Sequence, residues 1–345
     1  MGAVRNAAEP LRRRLESTMT ATPLYVLFSD YAGAVPGASA LLVRDGTTIV
    51  AAAFGLADLE QSIPTTLATN YRLASVSKQF TAMAVLLLIA DGRLALDDRL
   101  ARFFEDAPPH WQHVTLLHLL THTAGLLDYE DLILPGATAQ LRDQDVLDLV
   151  RPSDSGYHAP GAAFRYSNTG YCLLALIVET VAEQPFAAVL RERIFTPFEM
   201  TGTLAYEAGV SDVPRRAYGY SLHGQTWTRT DQSLTSATLG DGGIYSSVAD
   251  LTRWDAALAT GRLLPGQLLA RMFSPHAATP DGAAYGLGWY LRGRRVAYHT
   301  GETIGFRTAI VRRLDTRLTA IVLANRSEAA PLALAEALLA QASEI

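Results

Sequence analysis

The sequence predicts a mixed α/β (α+β) chain: an antiparallel sheet built from both termini, flanked by helices, with a mostly helical lobe inserted between its halves. Three observations predict it. Near the N-terminus two strand-like runs, GASALLV (37–43) and TTIVAAAF (47–54), are separated by Arg44-Asp45-Gly46, a hairpin signature. The middle of the chain, about 90–235, reads as short helices punctuated by proline and glycine. From Tyr285 onward strand signals return in GLGWYLR, VAYHTG, FRTAIVRRL and LTAIVLAN.

In order along the chain, residues 1–22 read as an N-terminal helix, with Arg12-Arg13-Arg14 as a solvated face. Residues 23–89 form the first part of the sheet lobe. After the hairpin and a polar stretch over 55–71, Phe80–Ala90 is a nearly unbroken apolar run that Asp91-Gly92 stops. Its length favours a buried helix over a strand. Residues 90–235 make the helical lobe, with helices at Val114–Leu120, Ala139–Val150, Thr169–Ala182 and Phe186–Phe195 and breaks at Pro108-Pro109 and Pro160-Gly161. Residues 236–345 complete the sheet lobe: a glycine-rich GDGGIYSS (240–247), a helix at Ala249–Leu258, the four strand runs and an apolar helix at Pro331–Ala342.

Composition bounds the function. With 345 residues, 49% apolar and 18% charged, the chain can bury a large core. The net charge of −5 and the absence of a long basic block argue against nucleic-acid partners. The single cysteine, Cys172, rules out an intrachain disulfide and lies in an apolar run that places it in the core. No run reaches the roughly 18 apolar residues of a membrane span. The run Leu24–Phe28 is too short for a signal peptide, so a cytoplasmic location is expected, or a periplasmic one if a leader is missing. No cofactor and no metal are expected. His118 and His122 stand four apart, but HLLTH lacks the glutamate of a zinc protease helix. Neither a G-x-S-x-G elbow nor a phosphate loop is present.

The chemistry concentrates at Ser75 and Lys78. Lys78 is the only lysine among the 29 basic residues of the chain. An ammonium can release a proton where a guanidinium cannot, so a lone lysine marks a position that uses a removable proton. On a helix, positions three apart share a face. A serine hydroxyl needs a base beside it and donors for the oxyanion that forms on attack. For a lysine or a tyrosine to serve as that base near pH 7, a shift of about three units is required. Two further triplets are candidates: Tyr166-Ser167-Asn168, with Tyr166 as proton relay and Asn168 as carbonyl ligand or helix N-cap, and His299-Thr300-Gly301 at a strand end, where Gly301 allows close backbone approach.

Ser-x-x-Lys, Tyr-x-Asn and His-Thr-Gly occur in that order, within VPGASALLVRDG, YRLASVSKQFTA, LLTHTAGL, PGAAFRYSNTGYCLLALIVE, GDGGIYSSVADLTRW, YGLGW and HTGETIGF. Over about 35–325 the sequence resembles the serine β-lactamase and penicillin-binding-protein superfamily, in its class C-like branch. That branch includes AmpC-type β-lactamases, D-alanyl-D-alanine carboxypeptidases, D-aminopeptidases and family VIII esterases. The resemblance implies a β-lactamase/transpeptidase-like fold and an acyl-enzyme on Ser75. Lys78 and Tyr166 would share the acid–base work, Asn168 would hold the substrate amide, and His299 would take the place of a lysine or histidine. The backbone N–H groups of Ser75 and Glu302 would form the oxyanion hole.

His299 departs from the lysine of AmpC-type enzymes, which weakens the case for binding a substrate carboxylate. Pro197-Phe198-Glu199-Met200 and Gln184-Pro185 differ from the usual pattern only in loops of the helical lobe. The expected partner is a small ester, amide or β-lactam. Small-acyl esterase ranks first, D-amino-acid peptidase or carboxypeptidase second and true β-lactamase third. A sensor that acylates without turnover is the non-enzymatic alternative. Pocket shape falls to loops around Tyr129, Trp227, Gly240–Tyr245 and Arg307, and the oligomeric state is not legible.

Overall fold

A computed structural model describes residues 21–342. The N-terminal helix expected over 1–22 lies outside them except for its last two positions, which open a helix at Ala21–Leu27.

The organising element is an eight-stranded sheet with the order Ala277–Ala278, Ala284–Tyr285, Tyr290–Arg292, Val296–Thr303, Phe306–Arg313, Leu318–Ala324, Ala38–Arg44, Thr47–Phe54. Every pairing in it is antiparallel. Strands from both ends of the chain meet within it, where Ala38–Arg44 pairs with Leu318–Ala324. Both strands are buried along nearly their whole length, which explains their largely apolar sequences.

The two faces carry different helices. On one, Pro331–Ala342 and the N-terminal segment pack Leu338, Leu339 and Phe28 against Leu42, Val311 and Val322. The other face carries the larger core, including Lys78–Ala90 and Val248–Thr260. In Lys78–Ala90 every residue from Lys78 to Leu88 is buried. A helix apolar on all sides belongs in the middle of a large core, not at its edge, and this one lies between the sheet and the helix Asn168–Ala182.

The helical region holds Leu116–Leu120, Asp143–Val150, Asn168–Ala182, Phe186–Leu190 and a π-turn at Arg191–Phe195. One expectation is corrected here. The last part of the stretch 90–235 is not helical: Leu204–Ala205 pairs with Ile244–Ser246, and Tyr220–His223 forms a hairpin with Thr226–Arg229. Gly224 at φ +64 makes the turn between two runs rich in aromatic and β-branched residues, YSLH and TWTR. Ile244–Ser246 also pairs with Tyr71–Arg72, which ties the glycine-rich loop to the segment entering Ser75. Among the described residues no single helix is long and apolar enough to cross a membrane.

Candidate active site

Ser75 sits in a 3-10 turn, Ala74–Ser77, that runs directly into the buried helix Lys78–Ala90. Ala74 holds a left-handed φ of +48°, a strained value for a residue with a side chain. The turn presents Ser75 half-exposed at the start of a helix, where early N–H groups have no partner within the helix. Lys78 is fully buried, and its Nζ meets three acceptors: Ser75 Oγ at 3.1 Å, Asn168 Oδ1 at 2.7 Å and the Asp241 carbonyl at 3.0 Å. Three acceptors around one nitrogen match the three donors of an ammonium. Burial pulls the Lys78 pKa down, but Tyr166 and Asp241 outweigh it and the net direction is up. The downward shift that a resting lysine base requires is therefore not what this environment produces.

Tyr166 lies in the loop before Asn168–Ala182, with its ring centroid 5.0 Å from Lys78 Nζ. Its hydroxyl is buried and has no hydrogen-bond partner in the protein. His122 fixes the ring: the imidazole stacks on Tyr166 at 4.2 Å, and its Nδ1 accepts the Ser167 N–H at 3.1 Å. Burial and the Lys78 charge hold the His122 pKa well below the usual histidine value, so it stays neutral. His118 is used elsewhere, as the capping-box partner of Thr115.

Asn168 is not the N-cap. It is the first residue of its helix, and Ser167 holds the cap position without a side-chain bond. The helix start is satisfied by Asp128, whose carboxylate accepts the Asn168 N–H at 2.7 Å, a favourable place for negative charge. The Asn168 side chain is stretched between Lys78 and Glu130, donating to Glu130 Oε1 at 2.9 Å. Sequence reasoning missed Glu130 and Asp128. The Asp-Tyr-Glu triplet that follows LLTHTAGLL carries no local signal that its acids meet Asn168. Burial and Asp128 raise the Glu130 pKa, with Asn168 and Lys78 pulling the other way.

The strand Val296–Thr303 pairs with Tyr290–Arg292 only as far as Tyr298. Beyond that point its outer edge runs alongside the Ser75 turn. Gly301 is required by this packing: a Cβ there would lie 2.0 Å from the Leu73 carbonyl and 2.3 Å from Thr308 Oγ1. Close approach at Gly301 thus serves the protein's own backbone. The Glu302 side chain turns outward to pair with Arg307 at 2.7 Å. Its backbone lies on the open edge.

His299 is buried, and both ring nitrogens are engaged. Nδ1 lies 2.7 Å from the Thr300 carbonyl and so carries the proton; Nε2, 3.0 Å from the Tyr285 hydroxyl, accepts from it. Burial and the neighbouring Lys78 charge push its pKa down to about 3. His299 is thus held toward its neutral form, with both ring nitrogens bonded inside the protein.

Comparisons with known proteins identify the family. The profile described as Beta-lactamase matches residues 11–344. The chain belongs to the beta-lactamase family. Penicillin-binding protein 4* of Bacillus subtilis is 32% identical over 307 residues, 84% of this chain and 68% of that protein. A D-aminopeptidase of Cereibacter sphaeroides is 31% identical over 318 residues, 89% of this chain and 60% of that protein. The chain thus spans 60–68% of the length of these two relatives. The crystal structure of D-amino acid amidase from Ochrobactrum anthropi SV3 in complex with L-phenylalanine amide superposes with a TM-score of 0.77 at 27% identity, covering 89% of this chain and 91% of that one. The family accounts for the fold, a large antiparallel sheet flanked by helices.

Proposed function

We propose that the protein is a serine hydrolase that forms an acyl-enzyme on Ser75 and prefers amides or esters of acyl groups bearing a free amine, D-amino-acid amides first among them. The observation that carries the reaction class is the convergence of Ser75, Lys78 and Asn168 at one nitrogen, with the unpartnered Tyr166 hydroxyl beside them. Tyr166 relays the Ser75 proton: as Oγ bonds the substrate carbonyl carbon, the Tyr166 oxygen accepts that proton and passes its own hydroxyl proton to the nitrogen or oxygen that leaves the carbonyl carbon. The N–H groups of Ser75 and Glu302 receive the oxyanion. A water then releases the acid by the same route reversed.

The substrate class rests on charge. Glu130 sits at the exposed mouth, bonded to Asn168, with its pKa pushed up by burial and Asp128. A bound ammonium would relieve that push. His299, neutral and internally bonded, offers nothing to a carboxylate. This ranks amine-bearing substrates above the simple esters favoured by sequence alone, and leaves β-lactams, which carry a carboxylate, last. The similarity to a D-aminopeptidase and a D-amino acid amidase points the same way.

The test pairs D-phenylalanine p-nitroanilide with 3-phenylpropionic acid p-nitroanilide, which lacks only the amine. Glu130→Gln keeps an oxygen for Asn168 and removes the charge. One charge-assisted hydrogen bond is worth about 1.5–3 kcal/mol, so kcat/KM should fall about 10- to 100-fold for the amine substrate and stay level for its analogue. An equal fall for both, or none, contradicts the amine reading. p-Nitrophenyl butyrate turned over faster than every amine substrate would restore the esterase reading.

A further inference from the structure

Behind Lys78 lies a second carboxylate that the reaction as described does not use. Asp241 is 6% exposed. Its carbonyl takes one Lys78 N–H, while its side chain makes a single weak bond, Oδ2 to the Tyr129 hydroxyl at 3.4 Å. Oδ1 is buried and has no partner. Burying a carboxylate with one oxygen unsatisfied is expensive unless a cation lies close by. Among the described residues no ion pair within 4.0 Å includes Asp241, and the cation next to it is Lys78, whose Nζ donates to the Asp241 carbonyl.

The loop holding Asp241 is fixed to the nucleophile's own helix. Gly240 O accepts from Thr81 Oγ1 at 2.6 Å, and the Ile244 N–H donates to Ser77 Oγ at 3.2 Å. On the far side, the Asp143 carboxyl accepts the Leu239 and Gly240 N–H groups at 2.9 and 3.1 Å. Asp241 therefore cannot swing away from Lys78 without breaking several buried bonds.

Most other ionisable groups in the cluster are pushed toward their neutral forms; Asp143 also becomes a carboxylate above about pH 7, but its two oxygens are taken by the Leu239 and Gly240 N–H groups. From the helix Asn168–Ala182, Tyr171 and Cys172 are both pushed up by burial. Asp143 is pushed up to about 7, and Tyr129 upward, each by burial and then in part by Asp241. His122 and His299 are held neutral from the other side. Glu130, with Asp128 beside it, faces the mouth, and Tyr166 faces the substrate.

We propose that the Asp241 carboxylate is the buried counter-ion of Lys78, a positioning residue that keeps the lysine an ammonium and so leaves Tyr166 to take the Ser75 proton. The inference rests on the acyl-transfer reading for its purpose, but its test does not depend on turnover. Lys78 is the only lysine in the sequence. Protein grown on lysine labelled with carbon-13 at Cε gives one lysine resonance, whose position reports the charge of Lys78 directly.

The resonance should stay at the ammonium position past the ordinary lysine pKa of about 10.4, up to alkaline unfolding if necessary. A unit charge acting through an effective dielectric of about 20 at short range moves a pKa by about one to two units. Asp241→Asn should therefore lower the Lys78 midpoint by about that much and move the acid limb of kcat/KM to lower pH. Asp241→Glu should keep both near wild type. An unchanged Lys78 midpoint in a folded Asp241→Asn variant overturns the proposal. If that variant does not fold, the wild-type titration still decides, because a midpoint below about 10.4 overturns it alone. Failure of the acyl-transfer reading would appear separately, as hydrolysis surviving in Ser75→Ala.

Discussion

Gly301→Ala tests the packing of the strand edge on the Ser75 turn. The added methyl would start 2.0 Å from the Leu73 carbonyl, and ordinary contact begins at 3.4 Å, so the two backbones must part by about 1.4 Å. Leu73 is two residues from Ser75, and its carbonyl is also held by Thr308 Oγ1 at 2.7 Å. The turn therefore cannot yield without disturbing either Ser75 or the Thr300–Thr303 edge. Overpacking of this kind costs about 1–3 kcal/mol of stability. A displacement of about 1 Å between nucleophile and oxyanion donors costs about 100-fold in rate. The assay is kcat/KM on an activated ester or anilide, with thermal unfolding measured on the same preparation. Gly266→Ala is the control, because a Cβ there meets nothing within 4 Å. Gly301→Ala should lose about 100-fold or more in kcat/KM and unfold earlier, whereas Gly266→Ala should change neither. Wild-type stability in Gly301→Ala would refute the close packing. Lost stability with wild-type rates would refute the claim that this strand sets the geometry of Ser75.

Two further outcomes follow. Tyr166→Phe should remove at least about 1,000-fold of kcat while leaving the melting temperature equal or higher, since the hydroxyl it deletes is buried without a partner; a large loss of stability would mean the hydroxyl has a structural bond. Asp143 keeps its proton to about pH 7 when folded, against about 3.9 unfolded. Its contribution to stability is therefore largest below about pH 4 and falls as pH rises toward 7. His122 and His299, depressed by burial, work in the opposite sense but are common to wild type and Asp143→Asn, so they cancel in the comparison. Urea unfolding should show wild type losing stability relative to Asp143→Asn between pH 5 and 7. A difference that is flat with pH contradicts the raised carboxyl.

The sheet was legible because its strands are locally marked, by the Asp45-Gly46 turn and by apolar runs too short for helices. The helix behind Ser75 was legible from its all-round apolarity. The hairpin at Tyr220–Arg229 was hidden by its short runs and by the helices before it. At the site, Ser75, Lys78, Tyr166 and Asn168 stood out through short spacings and the solitary lysine. Asp128, Glu130, Asp143 and Asp241 did not, because each acts on a group far away in sequence: Asp143 on Gly240, Asp241 on Lys78, Glu130 on Asn168. The character of His299 was half legible. Its type suggested weak charge, but its two internal bonds depend on the Tyr285 hydroxyl and the Thr300 carbonyl, which only the folded chain brings to the ring.

The central claim is that Ser75 carries the acyl group. Rapid-quench intact mass spectrometry during turnover of a D-phenylalanine ester, followed by peptide mapping, tests it most directly. A mass gain equal to the phenylalanyl group on the peptide containing Ser75, absent in Ser75→Ala, is the predicted result. Turnover that persists in Ser75→Ala, or an adduct on another residue, would contradict the account.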